Sequence, residues 1–231
     1  EMWRLPAPLV GEYAEQDAVI TLKLWAAMQH EIEKQDLWDV FNLETNLFPC
    51  LVDMKFKGVR VDIDKAEQTK KSLLVSEKQM HQDIKKLAGF DVEIWAAASI
   101  AKAFDEVKLP YDRTEKGAPS FTKNFLATHP HELPKLINQA REVNKASTTF
   151  IDTILKHNHK GRIHSDINQI RSDDGGTVTG RFSYSNPNLQ QIPARHKELG
   201  PMIRSLFIPE EGTKWGCFDY SQQEPRILVH F

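Results

Sequence analysis

The sequence predicts a predominantly helical protein of the α+β class. Apolar residues recur at steps of three and four through long stretches before residue 157, as they do on the buried face of a helix. Short apolar–polar alternation, typical of strands, is found at 59–63, and 162–170 also looks extended. The 231 residues, 40% hydrophobic and 27% charged, are enough for one or two ordinary domains with a core.

Two helices are predicted near the N-terminus. The first runs from about 12 to 35, where apolar residues such as Leu22 and Trp25 follow a helical spacing. The second runs from 42 to 57, with Pro49 as an irregularity inside it. Gly58 is the residue type expected just past its end.

Two more long helices are predicted further on. Asp64 and Glu67 form an N-terminal capping signature, which opens what we expect to be the longest helix, and Gly89 ends it. Short elements follow up to Pro134, and another long helix covers 135–157. The two inner faces are predicted to contain Ala66, Leu73, Met80, Ile84 and Leu87, and Leu136, Ala140, Val143, Ser147, Ile151 and Ile154.

The composition and the expected secondary structure of the chain change after residue 161. The segment 173–193 is rich in Gly, Ser, Asn and Pro, and is either a plain surface loop or a functional one. The segments 203–209 and 214–218 are expected to be short and buried, the second containing an apolar strand, Trp215 to Phe218. A final helix is expected at 222–231, with Pro225 in its first turn.

Several classes of protein are excluded by composition. No apolar run approaches the length that crosses a bilayer, and the first residues do not resemble a signal peptide. Cys50 and Cys217 lack other ligands at metal-binding spacing and are typical of reduced thiols. We therefore expect a cytoplasmic protein without a membrane partner.

The charge distribution separates the N-terminal region from the rest. Residues 1–54 hold three basic and ten acidic residues, 55–86 hold nine basic and five acidic, and 141–204 hold ten basic and six acidic. Two interpretations stay open for the basic stretches. They form either a solvated helix surface or a surface that follows a DNA backbone.

The motif with the clearest chemistry is DYSQQEPR at 219–226. Asp219 follows the predicted apolar strand and precedes a helix. A carboxylate at the end of a buried strand can hold Mg²⁺ and direct a phosphate onto it. A single Asp in this position is more often a helix cap, so the residue string around it decides between the two.

This string resembles the first metal-binding motif of family A DNA polymerases, in particular phage or prophage members. Upstream, TGRFSYSNPNLQQIP at 179–193 is similar to a second signature of that family. REVNK at 141–145 through FID at 150–152 resembles the end of the family's thumb, and GVRVD at 58–62 resembles the strand that leads into it. Their order and spacing match as well.

The resemblance implies a division of the chain into the end of a 3′–5′ exonuclease-like domain, a palm entry segment, a helical thumb and the first strands of a palm. We expect these parts at 1–40, 41–63, 64–157 and 158–231, respectively. The implied function is that of a DNA-directed DNA polymerase that binds primer–template DNA and deoxynucleoside triphosphates.

The resemblance also implies roles for residues of the DYSQQEPR motif. Asp219 would ligate both catalytic Mg²⁺ ions, helped by the main-chain carbonyl of Tyr220. Glu224 would lie under the sugar of the incoming nucleotide and exclude a 2′-hydroxyl. The alternative for Glu224 is a salt bridge at the start of a helix. Gln223 and Pro225 depart from the aliphatic residues that are usual there.

DNA contacts are implied in the loop and in the thumb. Arg181 and Gln190 would reach the minor groove near the primer end, where every matched base pair offers acceptors. The alternative is that the loop side chains only form the hydrogen bonds of their own turn, and that Lys145 is an ordinary solvated helix residue. The complete set of implied DNA contacts is Arg181, Asn188, Gln190, Gln191, Lys145, Thr148 and Thr149.

A weaker match lies near the N-terminus. Tyr13 and Asp17, one helical turn apart, fit the third motif of the family's proofreading exonuclease. A local polar contact at this spacing is the alternative explanation.

Three functional hypotheses stay open at this point. The chain is part of a DNA polymerase, a non-catalytic DNA-binding or split-polymerase module that keeps the thumb, or a nuclease remnant. The remaining exonuclease carboxylates, the nucleotide-binding helix and the second metal-binding carboxylate of the family have no counterpart in the 231 residues. We therefore expect a fragment with an incomplete two-metal site that is inactive by itself.

Overall fold

The computed structural model describes residues 4–170, 176–194 and 196–231. The chain divides into two compact units between residues 56 and 57, within the predicted palm entry segment. The first unit contains α1 (Ala7–Lys34) and nearly all of α2 (Trp38–Lys57). Both predicted helices are present, and each begins a few residues before its predicted start. Pro49 is accommodated inside α2.

The second unit holds the other elements. Its helices are α3 (Ile63–Ala88), α4 (Ala97–Glu106), α5 (Lys123–Thr128), α6 (Glu132–Lys145), α7 (Asp152–Lys156), α8 (Leu199–Arg204) and α9 (Gln223–His230). Its strands are β1 (Val59–Arg60), β2 (Asp112–Arg113), β3 (Pro119–Ser120), β4 (Asn158–His159), β5 (Arg162–Ile163), β6 (Asp166–Asn168) and β7 (Ser183–Ser185). A π-helical turn at Ala146–Ile151 joins α6 to α7, and a 3₁₀ turn covers Leu189–Gln191.

The start of α3 corrects the predicted cap. The N-cap is Asp62, whose extended backbone lets its carboxylate accept the backbone N–H of Lys65 at 3.0 Å. Asp64 lies inside the first turn, where its charge favours the helix dipole. Gly89 ends the helix with a φ of 79°, as predicted. At 26 residues, α3 is shorter than the 28-residue α1, so it is not the longest helix.

The predicted helix 135–157 is confirmed as a continuous helical stretch from Glu132 to Lys156, with the π-helical turn inside it. Of the predicted inner faces, Leu136, Met80 and Leu87 are partly buried and the remainder are fully buried. One core cluster surrounds Phe104 and contains residues of α3, α4, α5 and α6, and a second surrounds Ile151 and Ile203. Burial of these apolar faces is the main source of stability for the unit.

The strands form three small sheets. The first has the antiparallel order β1-β5-β4, with Val59 opposite Ile163. The second pairs β2 with β3, and the third pairs β6 with β7. The predicted extended segments at 59–63 and 162–170 are therefore confirmed in shortened form, whereas β2 and β3 lie in the region expected only to contain short elements.

The predicted strand at Trp215–Phe218 is wrong. These residues form neither a strand nor a helix, and the whole segment 211–231 is exposed, with Phe218 at 96% exposure. A strand requires a neighbouring backbone to accept its hydrogen bonds. Within the part of the chain that the structure describes, no strand pairs with this segment. The segment 203–209 is buried at Ile203 and Leu206, as predicted.

A search of the helices in the described ranges finds none with the length and apolar character needed to cross a membrane.

Candidate nucleic-acid interface

The loop that carries the TGRFSYSNPNLQQIP motif is attached to the small β6–β7 sheet. The register pairs Asp166 with Ser185 and Asn168 with Ser183. The side-chain amide of Asn168 donates to the hydroxyl oxygens of Ser183, at 3.3 Å, and Ser185, at 3.2 Å. The polar residues of the motif thus hold the loop in a defined shape. Residues 173–175 of the predicted loop lie outside the described residues.

Two predicted DNA contacts stabilise the loop itself. The side chain of Asn188 accepts the backbone N–H of Gln190 at 3.0 Å and so caps the 3₁₀ turn. The amide nitrogen of Gln190 donates to the carbonyl of Phe182 at 3.0 Å. Both bonds correspond to the alternative interpretation, in which these side chains satisfy their own turn. They also leave both residues exposed.

Arg181 and Glu224, which lie 43 positions apart, are brought together by an ion pair. Glu224 is in the first turn of α9, so a salt bridge at the start of this helix is present. The side chains are 71% and 73% exposed, and an ion pair in water contributes little to stability. The contact therefore brings two predicted site residues together without fixing them rigidly.

The predicted thumb contacts lie where α6 passes into the π-helical turn. Lys145 is exposed at the last position of α6. The hydroxyl of Thr148 donates to the carbonyl of Asn144 at 2.8 Å, and Thr149 is exposed one position later. π-helical turns are rare and frequently occur at functional sites.

A groove of about 240 Å³ lies between the π-helical turn with α7 and the loop. Thr149 lines it from the π-helical turn, and Asn188 and Gln191 line it from the loop. His157, just after α7, also contributes to its wall. Three predicted DNA contacts from distant parts of the sequence therefore share one surface, which we call the small groove.

A polar cluster that the sequence did not single out supports the same helix. The side chain of Asn144 donates to Glu77 at 2.8 Å and accepts the indole N–H of Trp95 at 3.1 Å. The Arg141 guanidinium lies over the Trp95 ring and donates to the carbonyls of Ile94, at 2.6 Å, and of Phe121. Burial lowers the pKa of Arg141.

Glu142 is the centre of a second cluster. Its carboxylate accepts a hydrogen bond from Lys123 of α5 at 2.8 Å and contacts the ring of His196 at 3.1 Å. Partial burial acts to raise the pKa of this carboxyl, but the hydrogen bonds from Lys123 and His196 outweigh it and lower the pKa. Glu142 is therefore charged at neutral pH and connects α5, α6 and the segment before α8.

The predicted metal ligands are exposed. Asp219 and Tyr220 lie in the irregular segment before α9, whose N-cap is Gln222, so Asp219 is not the cap of this helix. Among the described residues, no group of three or more His, Cys, Asp or Glu side chains could hold a metal ion. Asp219 and the carbonyl of Tyr220 are oxygen ligands of the type that Mg²⁺ prefers, but they are too few to complete a two-metal site, and the assignment stays a prediction.

Tyr13 and Asp17 lie on α1, in the first unit, and both are exposed. The backbone carbonyl of Asp17 accepts a hydrogen bond from the hydroxyl of Thr21. Within the described ranges, no contact distinguishes this predicted exonuclease pair from ordinary surface residues of a helix, and the assignment also stays a prediction.

Comparison with known proteins identifies the family. The family model described as DNA polymerase family A matches residues 63–231. The chain belongs to DNA polymerase family A. This family A chain is 38% identical over 241 residues to a DNA-directed DNA polymerase of Pseudomonas phage M6, a match that covers 100% of the chain and 36% of the relative. It is 34% identical over 230 residues to the thermostable DNA polymerase I of Thermus filiformis, covering 95% of the chain and 27% of that protein.

A solved structure supports the helical α+β fold of the family A chain. The polymerase domain of Pol1 from M. smegmatis, in complex with DNA primer–template and dNTP, superposes with a TM-score of 0.70 at 25% identity. The match covers 83% of this chain and 34% of that structure. The chain thus spans about a third of the length of its phage relative and of this structure.

Proposed function

We propose that this family A chain binds primer–template DNA as part of a DNA-directed DNA polymerase. In this proposal 64–157 act as the thumb and 158–231 as the start of the palm, while 1–40 correspond to the end of an exonuclease-like domain. The observation that carries the proposal is the small groove, where Thr149 of the helical stretch meets Asn188 and Gln191 of the loop. The solved relative bound to primer–template and dNTP supports the same assignment.

The chemistry of the groove suits a duplex whose sequence is not read. Hydroxyl and amide side chains are donors and acceptors without charge, and donors in the minor groove meet acceptors on every correctly paired base pair. Lys145, exposed next to this surface, adds a positive charge for a backbone phosphate. Binding of this type is sequence-tolerant and depends on salt.

Arg181 and Glu224 complete the proposed surface. In the free chain each is the ion-pair partner of the other. We expect Arg181 to exchange this exposed partner for the minor groove when DNA binds. Glu224 would then be available to lie against the sugar of a nucleotide. The exchange costs little because the ion pair is in water.

Asp219 and the carbonyl of Tyr220 are proposed as ligands of Mg²⁺. When bound, Mg²⁺ would neutralise charge on phosphate oxygens during nucleotidyl transfer. The part that this chain plays is to present one carboxylate in an accessible position beside α9.

Fluorescence anisotropy with a labelled primer–template tests the proposal on the purified chain. We expect the logarithm of the affinity to fall linearly with the logarithm of salt concentration, by roughly 0.9 per phosphate contact. Lys145→Ala should reduce this slope by about one. Arg181→Ala should weaken binding by about 1–3 kcal/mol, with most of the effect on matched primer ends.

Lys23→Ala is the matched control, because Lys23 is an exposed helical lysine outside both basic stretches. Its affinity and salt slope should equal those of the unmodified chain. An affinity for DNA that does not change with salt concentration would contradict the proposed interface. So would an equal reduction of affinity and salt slope in Lys23→Ala and Lys145→Ala.

A further inference from the structure

His196 joins the segment before α8 to α6. Its ring lies 3.1 Å from one carboxylate oxygen of Glu142, and the two side chains are only 29% and 21% exposed. The other carboxylate oxygen of Glu142 is paired with Lys123 of α5 at 2.8 Å. Because both oxygens have a charged or polar partner, the carboxylate is held in one orientation toward His196.

The hydrogen bonds of the His196 ring indicate which nitrogen carries its proton. The backbone N–H groups of Leu199 and Glu198 donate to Nδ1 at 3.1 and 3.3 Å. In a neutral imidazole the nitrogen that accepts has no proton, so the proton is on Nε2. Nε2 is the atom 3.1 Å from Glu142, and it therefore donates to that carboxylate. The ring is a bridge, with one nitrogen bonded to the start of α8 and the other to α6.

The start of α8 is also held against the end of the motif loop. The backbone N–H of Gly200 donates to the carbonyl of His196 at 3.0 Å. A Cβ atom added at Gly200 would lie 3.2 Å from the carbonyl oxygen of Pro193 and 3.4 Å from that of Ala194. The backbone at 193–194 therefore passes directly over the first turn of α8. Any shift in the start of α8 is passed on to the end of the loop.

Both walls of the small groove are attached to this bridge. Glu142 belongs to the same continuous helical stretch as Thr149, which lines the groove on one side. Gln191 lines it on the other side, just before the segment that passes over α8. Apolar packing also connects the two sides, since Ile192 packs on the core cluster around Ile151. Such packing is not directional, whereas hydrogen bonds constrain both distance and angle.

We propose that His196 is a positioning residue for DNA binding, which sets the spacing between the two walls of the small groove through its bonds to Glu142 and Leu199. This role rests on the proposed function and deepens it by a residue that lies outside the sequence motifs. Hydrogen-bonded atoms must approach to about 2.7–3.2 Å, so a shift of the loop by about 1 Å is enough to lose a contact to a duplex held by both walls.

His196→Asn separates the two bonds of the bridge. The Oδ1 atom of asparagine takes the place of Nδ1 and can accept the Leu199 N–H, but the side chain ends one bond short of Nε2 and does not reach Glu142. We expect a thermal midpoint close to that of the unmodified chain. The affinity for primer–template, measured by fluorescence anisotropy, should fall about three- to tenfold, the effect of one lost hydrogen bond.

The salt dependence identifies the kind of contact that is lost. In His196→Asn the salt slope should stay unchanged, because no phosphate contact is removed. His30→Asn is the matched control, since His30 is an exposed histidine of α1, and its affinity should equal that of the unmodified chain. An affinity of His196→Asn equal to that of the unmodified chain would overturn the positioning role.

A double-mutant cycle with Gln191→Ala tests whether the effect of His196 passes through the loop. If His196 positions Gln191, the loss of affinity caused by His196→Asn should be smaller in the Gln191→Ala background than in the unmodified chain. Fully additive losses would overturn the proposal, because they would mean that the two residues act on DNA independently.

Nitrogen-15 NMR of the free chain tests the bridge without DNA. We expect the His196 ring to carry its proton on Nε2, and the Leu199 amide to exchange more slowly in the unmodified chain than in His196→Ala. A proton on Nδ1 would overturn the bridge. If the unmodified chain binds primer–template and His196→Asn binds equally well, only the positioning role fails. If the unmodified chain does not bind primer–template, the proposed function fails as well.

Discussion

Apolar side chains are buried along the paired helices α3 and α6 but exposed in the segment 211–231. Along α3 and α6, residues such as Ile84 and Ile137 have no exposed surface. In the segment 211–231, Phe218 is 96% exposed, and Leu228 of α9 is 79% exposed. Both regions have an apolar periodicity, so periodicity alone does not cause burial. An apolar stripe is buried only where another element packs against it: α3 and α6 pack on each other, whereas every residue of 211–231 is exposed, including those of helix α9.

The largest expected effect of this difference is on the free energy of unfolding when one buried and one exposed side chain are each replaced by alanine. Ile137→Ala should lower the free energy of unfolding by about 2–5 kcal/mol, because it leaves a cavity in a closed core. Phe218→Ala should change it by less than about 0.5 kcal/mol, because the ring is already in water. Urea unfolding followed by circular dichroism measures both. A large loss in Phe218→Ala would mean that the segment is covered in solution.

A polar residue of the packed region should show an intermediate effect. Arg141→Met leaves the carbonyls of Ile94 and Phe121 without their donor, at a cost of about 1.5–3 kcal/mol. Lys145→Met, one turn further along the same helix and exposed, is the matched control and should be close to neutral. The same unfolding experiment distinguishes them, and equal values would show that the Arg141 bonds contribute nothing.

The start of α3 provides a smaller and more local test. Asp62→Ala removes the side chain that accepts the Lys65 N–H and should cost about 1 kcal/mol. Asp64→Ala removes only a favourable charge in the first turn, worth about 0.3–1 kcal/mol. Thermal unfolding of the two variants side by side compares them. A larger loss of thermal stability in Asp64→Ala than in Asp62→Ala would indicate that Asp64 is the N-cap, as the sequence predicted.

The smallest expected effect is a change in pH dependence at Glu142. Its pKa is lowered below the usual value of 4.5, so its contribution to stability is present above that pH and is lost as the pH falls through the lowered pKa. The stability difference between the unmodified chain and Glu142→Gln should therefore narrow in acid. Unfolding midpoints measured from neutral pH down to about pH 3 would show this. When Lys123→Met is present in both proteins, their stability difference should change less with pH, because Lys123 no longer lowers the pKa of Glu142.

Part of the candidate interface could be predicted from the sequence because long motifs fix residue identity over many positions. The TGRFSYSNPNLQQIP string located Asn188 and Gln191, and the segment from REVNK through FID located Thr149; these three residues line one groove. The cluster of Trp95, Arg141 and Asn144 could not be predicted, since its members come from separate segments.

The sequence by itself determined the family, the helical character of the chain and the approximate extent of its long helices, because these depend on residue strings and on local periodicity. Tertiary structure decided which apolar residues are covered and that Trp215–Phe218 do not form a strand. It also decided that Arg181 meets Glu224. These outcomes depend on contacts between residues far apart in the chain, and local patterns carry no information on which distant groups meet.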